Sequence, residues 1–288
     1  MDDRSKLLLD LYRIESSSDN KEKLKSLSSI NHCLFELVQN LFDKGVEIKY
    51  HQREFEGKYF RFGLSNQTII NLVNGNSFEF FNKNVNMIDV DSLYSVTRMQ
   101  IETFLILFYL VFEDISDEEK DFRYDIYKLH GVLKQSEFKI ENPSPERTED
   151  IRSIENEILE LEEKIKLSSI YIGANATQKK EYLKPKYAKL IKSEIVFSKS
   201  GIKKSRIDEM WKIYSNYAHA EHISDRQFNY RRNNQKAINE TVSLIITTNK
   251  ILTSKLILFI KQAFTENEEK YLEFSLKDRV CIEMFMGI

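Results

Sequence analysis

Apolar residues recur at helical intervals over most of this chain. Leu24, Leu27, Ile30, Leu34, Leu37, Val38 and Leu41 fall three or four apart. That spacing predicts a helix over 20–43 ending at Gly45, the residue type most often found just past a helix. Between Glu47 and Phe62 short aromatic and charged residues alternate, which predicts a small β-hairpin or an extended connector. Ser65 is placed to cap a helix through Ile69, Ile70 and Leu72 to Gly75, and Ser77–Met87 reads as a polar, Asn-rich connection. Asp89 or Asp91 then starts the strongest helix, Ser92–Phe112, whose second half is apolar all round and therefore central.

A helix over about 118–133 follows, with Phe122, Ile126, Tyr127 and Leu129 on one face, and Asn142-Pro143-Ser144-Pro145 breaks the chain behind it. Residues 146–167 carry Ile151, Ile154, Ile158, Leu161 and Ile165 among dense charge, an amphipathic helix expected to form a charged arm. Shorter helices are expected over Ala174–Leu183 and Tyr187–Phe197. Ser205 is a good N-cap for one over about Arg206–His222. Asp225–Phe264 reads as one long helix or a kinked pair, and Glu268–Phe285 as a final helix.

With only 8 Gly and 3 Pro in 288 residues, turn-dense all-β and collagen-like classes lose their support, while 41% hydrophobic residues exclude general disorder. The expected fold is an all-α multi-helix bundle with a charged arm and at most a small hairpin near 47–62. It is read as one helical domain over 1–288, with a subdivision into 1–142 and 146–288 as the alternative. Positive and negative side chains nearly cancel (43 Lys+Arg, 45 Asp+Glu, net −2), so nucleic-acid binding must come from a local patch. Cys33 and Cys281 are too few and too far apart in sequence for a zinc cluster or disulfide framework. The N-terminus opens with two aspartates and shows no export signal; Ile101–Phe112 is too short to span a bilayer, and Leu244–Phe264 is interrupted by Lys250, Lys255 and Lys261. A cytoplasmic protein without a membrane partner is expected.

Three polar features stand out. Arg98 and Glu102 share a face as they enter the most apolar helix, where an unmatched ion would cost several kcal/mol. They are either a buried pair that fixes packing or an anion clamp in which Glu102 orients Arg98. The second is the segment around Trp211-Lys212-Ile213-Tyr214-Ser215-Asn216-Tyr217-Ala218-His219, ending at His222. Ile207, Met210, Trp211, Tyr214 and Ala218 form its core face, with Ser215 and His222 at the edge and His219 further round. A boundary histidine is a surface residue, a helix-end cation or a proton-transfer group. His219 and His222 are three apart and could share a metal with Glu102 or Glu221, but no HExxH, Cys cluster or second such pair accompanies them, so no metal is assigned. No GxGxxG, P-loop or GxSxG is present, and no cofactor is called for. The third feature is Arg226-Gln227-Phe228-Asn229-Tyr230-Arg231-Arg232-Asn233-Asn234-Gln235-Lys236, whose interleaved arginines and aromatics suit phosphates and bases, or begin a solvated helix.

The pairing of Arg98-x-x-x-Glu102 on an apolar helix with the distant Tyr214-Ser215-Asn216-Tyr217-Ala218-His219 segment resembles a group of uncharacterised bacterial all-helical proteins and the HEPN superfamily, over roughly residues 85–225. Many HEPN proteins are ribonuclease toxins or antiviral effectors, so the resemblance implies metal-independent RNA cleavage in antiphage defence. It also implies a homodimer, RNA as substrate and a protein partner within a defence system. The HEPN histidine falls on His219. Tyr214 stands where the pattern has an Arg, and Asn216 lies one position from the usual Asn, so the guanidinium would come from Arg98. The implied catalytic set is Arg98, Glu102, Ser215 and His219, with Tyr214, Asn216, His222, Arg226, Arg231 and Arg232 holding the substrate. The alternative is a non-catalytic interaction or sensor module in which the same residues are a structural polar network.

Overall fold

A computed structural model describes residues 2–138, 144–202, 211, 213, 214, 222–232 and 234–285, the side chains of Ile223 and Arg232 excepted. Among these residues it is all-α: thirteen α-helices and one two-stranded antiparallel hairpin. Chain contacts divide it into two compact units. One comprises stretches 1–47, 54–107 and 200–288, and the other 48–53 and 108–199.

The first unit begins with α1 (Asp3–Ser16), capped by Asp2, whose carboxylate accepts from the Ser5 amide at 2.7 Å. α2 (Asn20–Asp43) has the expected bounds: its seven periodic apolar residues are all buried, and Gly45 takes φ +60 just past its end. The expectation for 47–62 fails. A single 3₁₀ turn at Tyr50–Gln52, in the stretch that belongs to the second unit, is followed along the chain by α3 (Phe55–Val73), in which Phe55, Tyr59, Phe62, Asn66, Ile69 and Val73 form one buried stripe at steps of three and four. The 3.6-residue period of that stripe outweighs the local alternation.

The hairpin lies further on, where a polar connection was expected: β1 (Asn76–Phe80) pairs with β2 (Lys83–Met87) in the register Asn76↔Met87, Phe78↔Val85, Phe80↔Lys83. Phe81 and Asn82 make the two-residue loop with positive φ, +49 and +58, the twist that joins antiparallel strands tightly. α4 (Val90–Leu107) is started by Asp89, which accepts from the Ser92 amide at 3.0 Å and its hydroxyl at 2.6 Å.

At the other end of the chain, the expected 225–264 region is a pair: α10 (His222–Arg232) and α11 (Gln235–Ala263), the second capped by Asn234 on the Ala237 amide at 3.1 Å. The expected final helix is likewise two, α12 (Asn267–Glu273) and α13 (Leu276–Met284), because Ser275 caps a fresh start at the Asp278 amide. Helices α2, α3, α4 and α11 make the core of this unit, with α1, α12 and α13 packed at its side. Val90–Phe112 and Gln235–Ala263 are long and apolar enough to cross a membrane, but 56% and 67% of their most apolar windows are buried inside the structure. Lys250, in the middle of α11, is fully buried and pairs with Glu15 of α1.

In the second unit a π-helical turn, Phe108–Phe112, closes with the Glu113 amide donating to the Phe108 carbonyl at 2.9 Å. α5 (Asp117–Ser136) and α6 (Pro145–Leu167) follow, capped by Ser116 and Ser144, with Pro145 at the first position of its helix, where a missing N–H costs nothing. The pairs Asp125–Lys164 and Lys128–Glu157 run in opposite senses, so the two helices are antiparallel around Phe122, Ile126, Leu129, Leu161 and Ile165. Three short helices complete it: α7 (Ser169–Gly173), α8 (Ala176–Leu183) and α9 (Ser193–Lys199). α9 starts later than the expected Tyr187, since 185–192 are non-helical and the Leu190 amide donates instead to the Tyr109 hydroxyl at 3.1 Å.

Candidate functional site

The site expected from sequence lies in the first unit, on α4. One face of that helix, Tyr94, Thr97 and Ile101, is buried, and Arg98 and Glu102 flank it one turn apart, both half-buried. The Arg98 guanidinium lies 5.9 Å from the Trp211 ring, within cation–π range. The structure therefore brings Arg98 to the Trp211–Tyr214 segment. Ser215, Asn216 and His219 lie outside the described residues, as do Ser205 and most of the helix expected over 206–222.

Tyr214 is wholly buried, in agreement with its place on the core face of the helical pattern. Its ring lies 5.4 Å from that of Tyr94. The Thr248 hydroxyl donates to the Leu244 carbonyl at 2.8 Å, so the Tyr214 hydroxyl is the donor in its 2.9 Å bond to Thr248 Oγ1. Burial pushes the Tyr214 hydroxyl above the usual phenol range.

Arg231, expected on a strand-holding surface, is 5% exposed. Its guanidinium donates to Asp91 Oδ1 at 2.9 Å and to the Tyr94 hydroxyl at 3.3 Å, fastening α10 to the start of α4. Burial raises the Asp91 carboxyl while Arg231 opposes the rise. His222 and Arg226 are exposed on α10, beside exposed Phe228 and Tyr230. Among the described residues, the water-facing side of α10 thus carries Arg226, Phe228 and Tyr230 from the expected patch, with His222 just before it.

Sequence reasoning did not find the polar layer running through the helical core of this unit. Gln100 Nε2 donates to the Asn66 Oδ1 at 2.9 Å and to the Phe62 carbonyl at 2.8 Å. Asn66 Nδ2 donates to Asn31 Oδ1 at 2.8 Å and Thr253 Oγ1 at 3.0 Å, and Asn249 Nδ2 donates to Thr97 Oγ1 at 3.1 Å. All of these side chains are buried, so α2, α3, α4 and α11 are matched to one another by amide groups as well as by apolar packing. The signal was legible: Asn66 sits inside the apolar stripe of α3, and Asn31 directly follows Ile30 on α2.

A second polar centre, in the other unit, was also missed. Glu113, 3% exposed just past the π turn, accepts from Arg123 Nη1 at 2.5 Å and from Lys199. Arg123 Nη2 reaches Glu119 at 2.7 Å, and its guanidinium sits 4.4 Å from the Tyr109 ring. Burial works to raise the Glu113 carboxyl, yet the hydrogen bonds from Arg123 and Lys199 hold it below the ordinary carboxylate value.

Among the described residues no three His, Cys, Asp or Glu side chains are grouped to hold a metal ion. In comparisons with known proteins, no family model, curated protein or solved structure matches this chain.

Proposed function

We propose that this chain is a HEPN-like, metal-independent ribonuclease or toxin-type effector acting through Arg98 and His219, in the cytoplasm of a bacterium defending itself against phage. The observation that supports the reading best is the approach of the Arg98 guanidinium to within 5.9 Å of the Trp211 ring, in the segment that carries His219 eight positions further along. A planar guanidinium suits a phosphodiester, and an aromatic neighbour limits the rotamers it would otherwise lose on binding. In this reading Arg98 stabilises charge building on the phosphorus-bound oxygens and Glu102 orients it. His219 moves the proton of the RNA 2′-hydroxyl or of the leaving oxygen, a task an imidazole is suited to near neutral pH. Ser215 and Asn216 position the phosphate, and His222, Arg226 and Arg232 follow the strand. RNA is the substrate, a second copy and a defence-system protein are the expected partners, and Arg231 and Tyr214 act as supports for the site.

A second reading is favoured by a specific observation: Tyr214 and Arg231 are built into the core, on Thr248 and Asp91. On that basis the same region is a non-catalytic interaction or sensor module whose polar groups hold helices in place. One experiment separates the two. Purified protein is incubated with total and transfer RNA in EDTA, alongside His219→Ala and Arg98→Lys, with melting curves for each. Metal-independent cutting lost in both folded variants supports the nuclease. Variants that cut as fast as wild type remove it, and lowered melting with no wild-type cleavage leaves the interaction module.

A further inference from the structure

The β1–β2 hairpin is two-faced and almost wholly in water. Nine of its ten strand residues are exposed and Val85 is half-buried. The register puts Phe78, Phe80, Val85 and Met87 on one face, and Ser77, Glu79, Asn84 and Asn86 on the other. Phe78 is 45% exposed, Phe80 55%, Met87 39% and the tip residue Phe81 84%. An isolated two-stranded hairpin with a wet apolar face is marginal in water, and the loop makes it more so. At φ +49 Phe81 occupies left-handed backbone that favours Gly, Asn or Asp, so its ring is presented at a cost in conformational energy.

We propose that the apolar face of this hairpin docks against the same face of a second copy of the chain, in a two-fold arrangement with the two hairpins running antiparallel. Area and charge both select this occupant. Taking about 200 Å² for a whole side chain of this size, Phe78, Phe80, Phe81 and Met87 leave about 450 Å² open, a large apolar patch for one chain. Two copies remove about 900 Å², and with Asn76, Lys83 and the strand backbones the buried total approaches the roughly 1,200 Å² at which specific interfaces begin. The strands carry one Glu and one Lys, so the hairpin has no positive field to draw it to RNA or to anionic lipid. Lys83 lies at the tip and Asp89 at the base. An antiparallel pair sets each Lys83 towards Asp89 of the second copy, whereas a parallel pair sets lysine against lysine. Edge-to-edge pairing of strands would leave the phenylalanines in water, so the contact is face to face.

This inference gives a surface to the second copy that the ribonuclease reading also expects, and the two fail separately: the hairpin variants read association, and the RNA assay reads cleavage. Sedimentation equilibrium of the full chain at micromolar concentrations is expected to give twice the monomer mass. Phe80→Ser/Phe81→Ser, which touches only exposed side chains, is expected to weaken association at least about tenfold with an unchanged circular dichroism spectrum. Phe78→Cys, near the two-fold axis, is expected to cross-link between chains under a mild oxidant, and Lys83→Cys is not. A monomeric wild type, an unweakened Phe80→Ser/Phe81→Ser protein, or cross-linking through Lys83→Cys in place of Phe78→Cys overturns the proposal.

Discussion

Replacing Arg123 with Met tests how the second unit tolerates buried charge. Arg123 and Glu113 side chains are 6% and 4% exposed, and Arg123 is bound at once to Glu113, to Glu119 and to the Tyr109 carbonyl at 3.3 Å. Methionine keeps much of the aliphatic length and removes all of the donors. Glu113 is then left in the interior with Lys199 alone, whose side chain is 47% exposed and only partly compensates. Breaking a buried pair from one side costs about 3–5 kcal/mol, and the surviving Lys199 contact puts this case near the lower figure. At about 2–4 °C per kcal/mol, melting followed at 222 nm is expected to fall by about 6–12 °C. Adding Glu113→Leu removes the stranded charge and lets Lys199 turn to water, so the double variant is expected to recover most of the loss. The pH dependence has a definite sign. Because the folded Glu113 carboxyl lies below its ordinary value, its contribution is fully present above the unfolded value of about 4.3 and is lost as pH falls through the folded one. Single-variant melting within about 1 °C of wild type, or a double variant as unstable as the single, would refute the reasoning.

Other outcomes follow from the same structure. Asn66→Leu removes the amide that joins Asn31, Gln100 and Thr253, and is expected to cost about 2–3 kcal/mol in urea unfolding, because three buried groups lose a partner together. Burial pushes the Cys33 thiol up to about 12 and the Cys281 thiol to about 11, so both stay protonated at pH 8 and a disulfide reagent is expected to label them only after denaturation. Gly63→Ala would set a Cβ 2.3 Å from the end of the Phe35 ring, and is expected to lower stability by about 1–3 kcal/mol with a shift of that ring's proton resonances. Asn82→Gly relaxes positive φ at the hairpin loop and is expected to slow amide exchange in β1 and β2.

The all-helical class and most helix positions were legible in the sequence because periodicity reports which face of a segment is buried, and α2 shows this at its clearest. The bounds of α2 follow from its apolar repeat and Gly45. The first half of α3 and the hairpin were misread for a physical reason. The second half of α3 is read from Ile69, Ile70 and Leu72, but its first half looks like a hairpin or connector because Tyr59-Phe60-Arg61-Phe62 alternates locally, while the Asn-rich 76–87 stretch looks like a connection until Phe78, Phe80, Val85 and Met87 are seen to alternate. The splits at Asn234 and Ser275 turn on single caps, each a local hydrogen bond that competes with helix continuation.

For the candidate site, residue type and spacing singled out Arg98, Glu102 and Tyr214, and placed Tyr214 towards the core. Only the tertiary structure decided that Arg98 meets Trp211, and that Arg231 belongs to Asp91 and Tyr94 and not to a surface. The same holds for Glu113 and Arg123, which are ordinary charges in sequence and become a buried pair through the π turn that precedes them. Sequence determines local period and capping, because those depend on neighbours a turn away. Which charge is buried, and against what, depends on segments distant in the chain, and that is settled only when they pack.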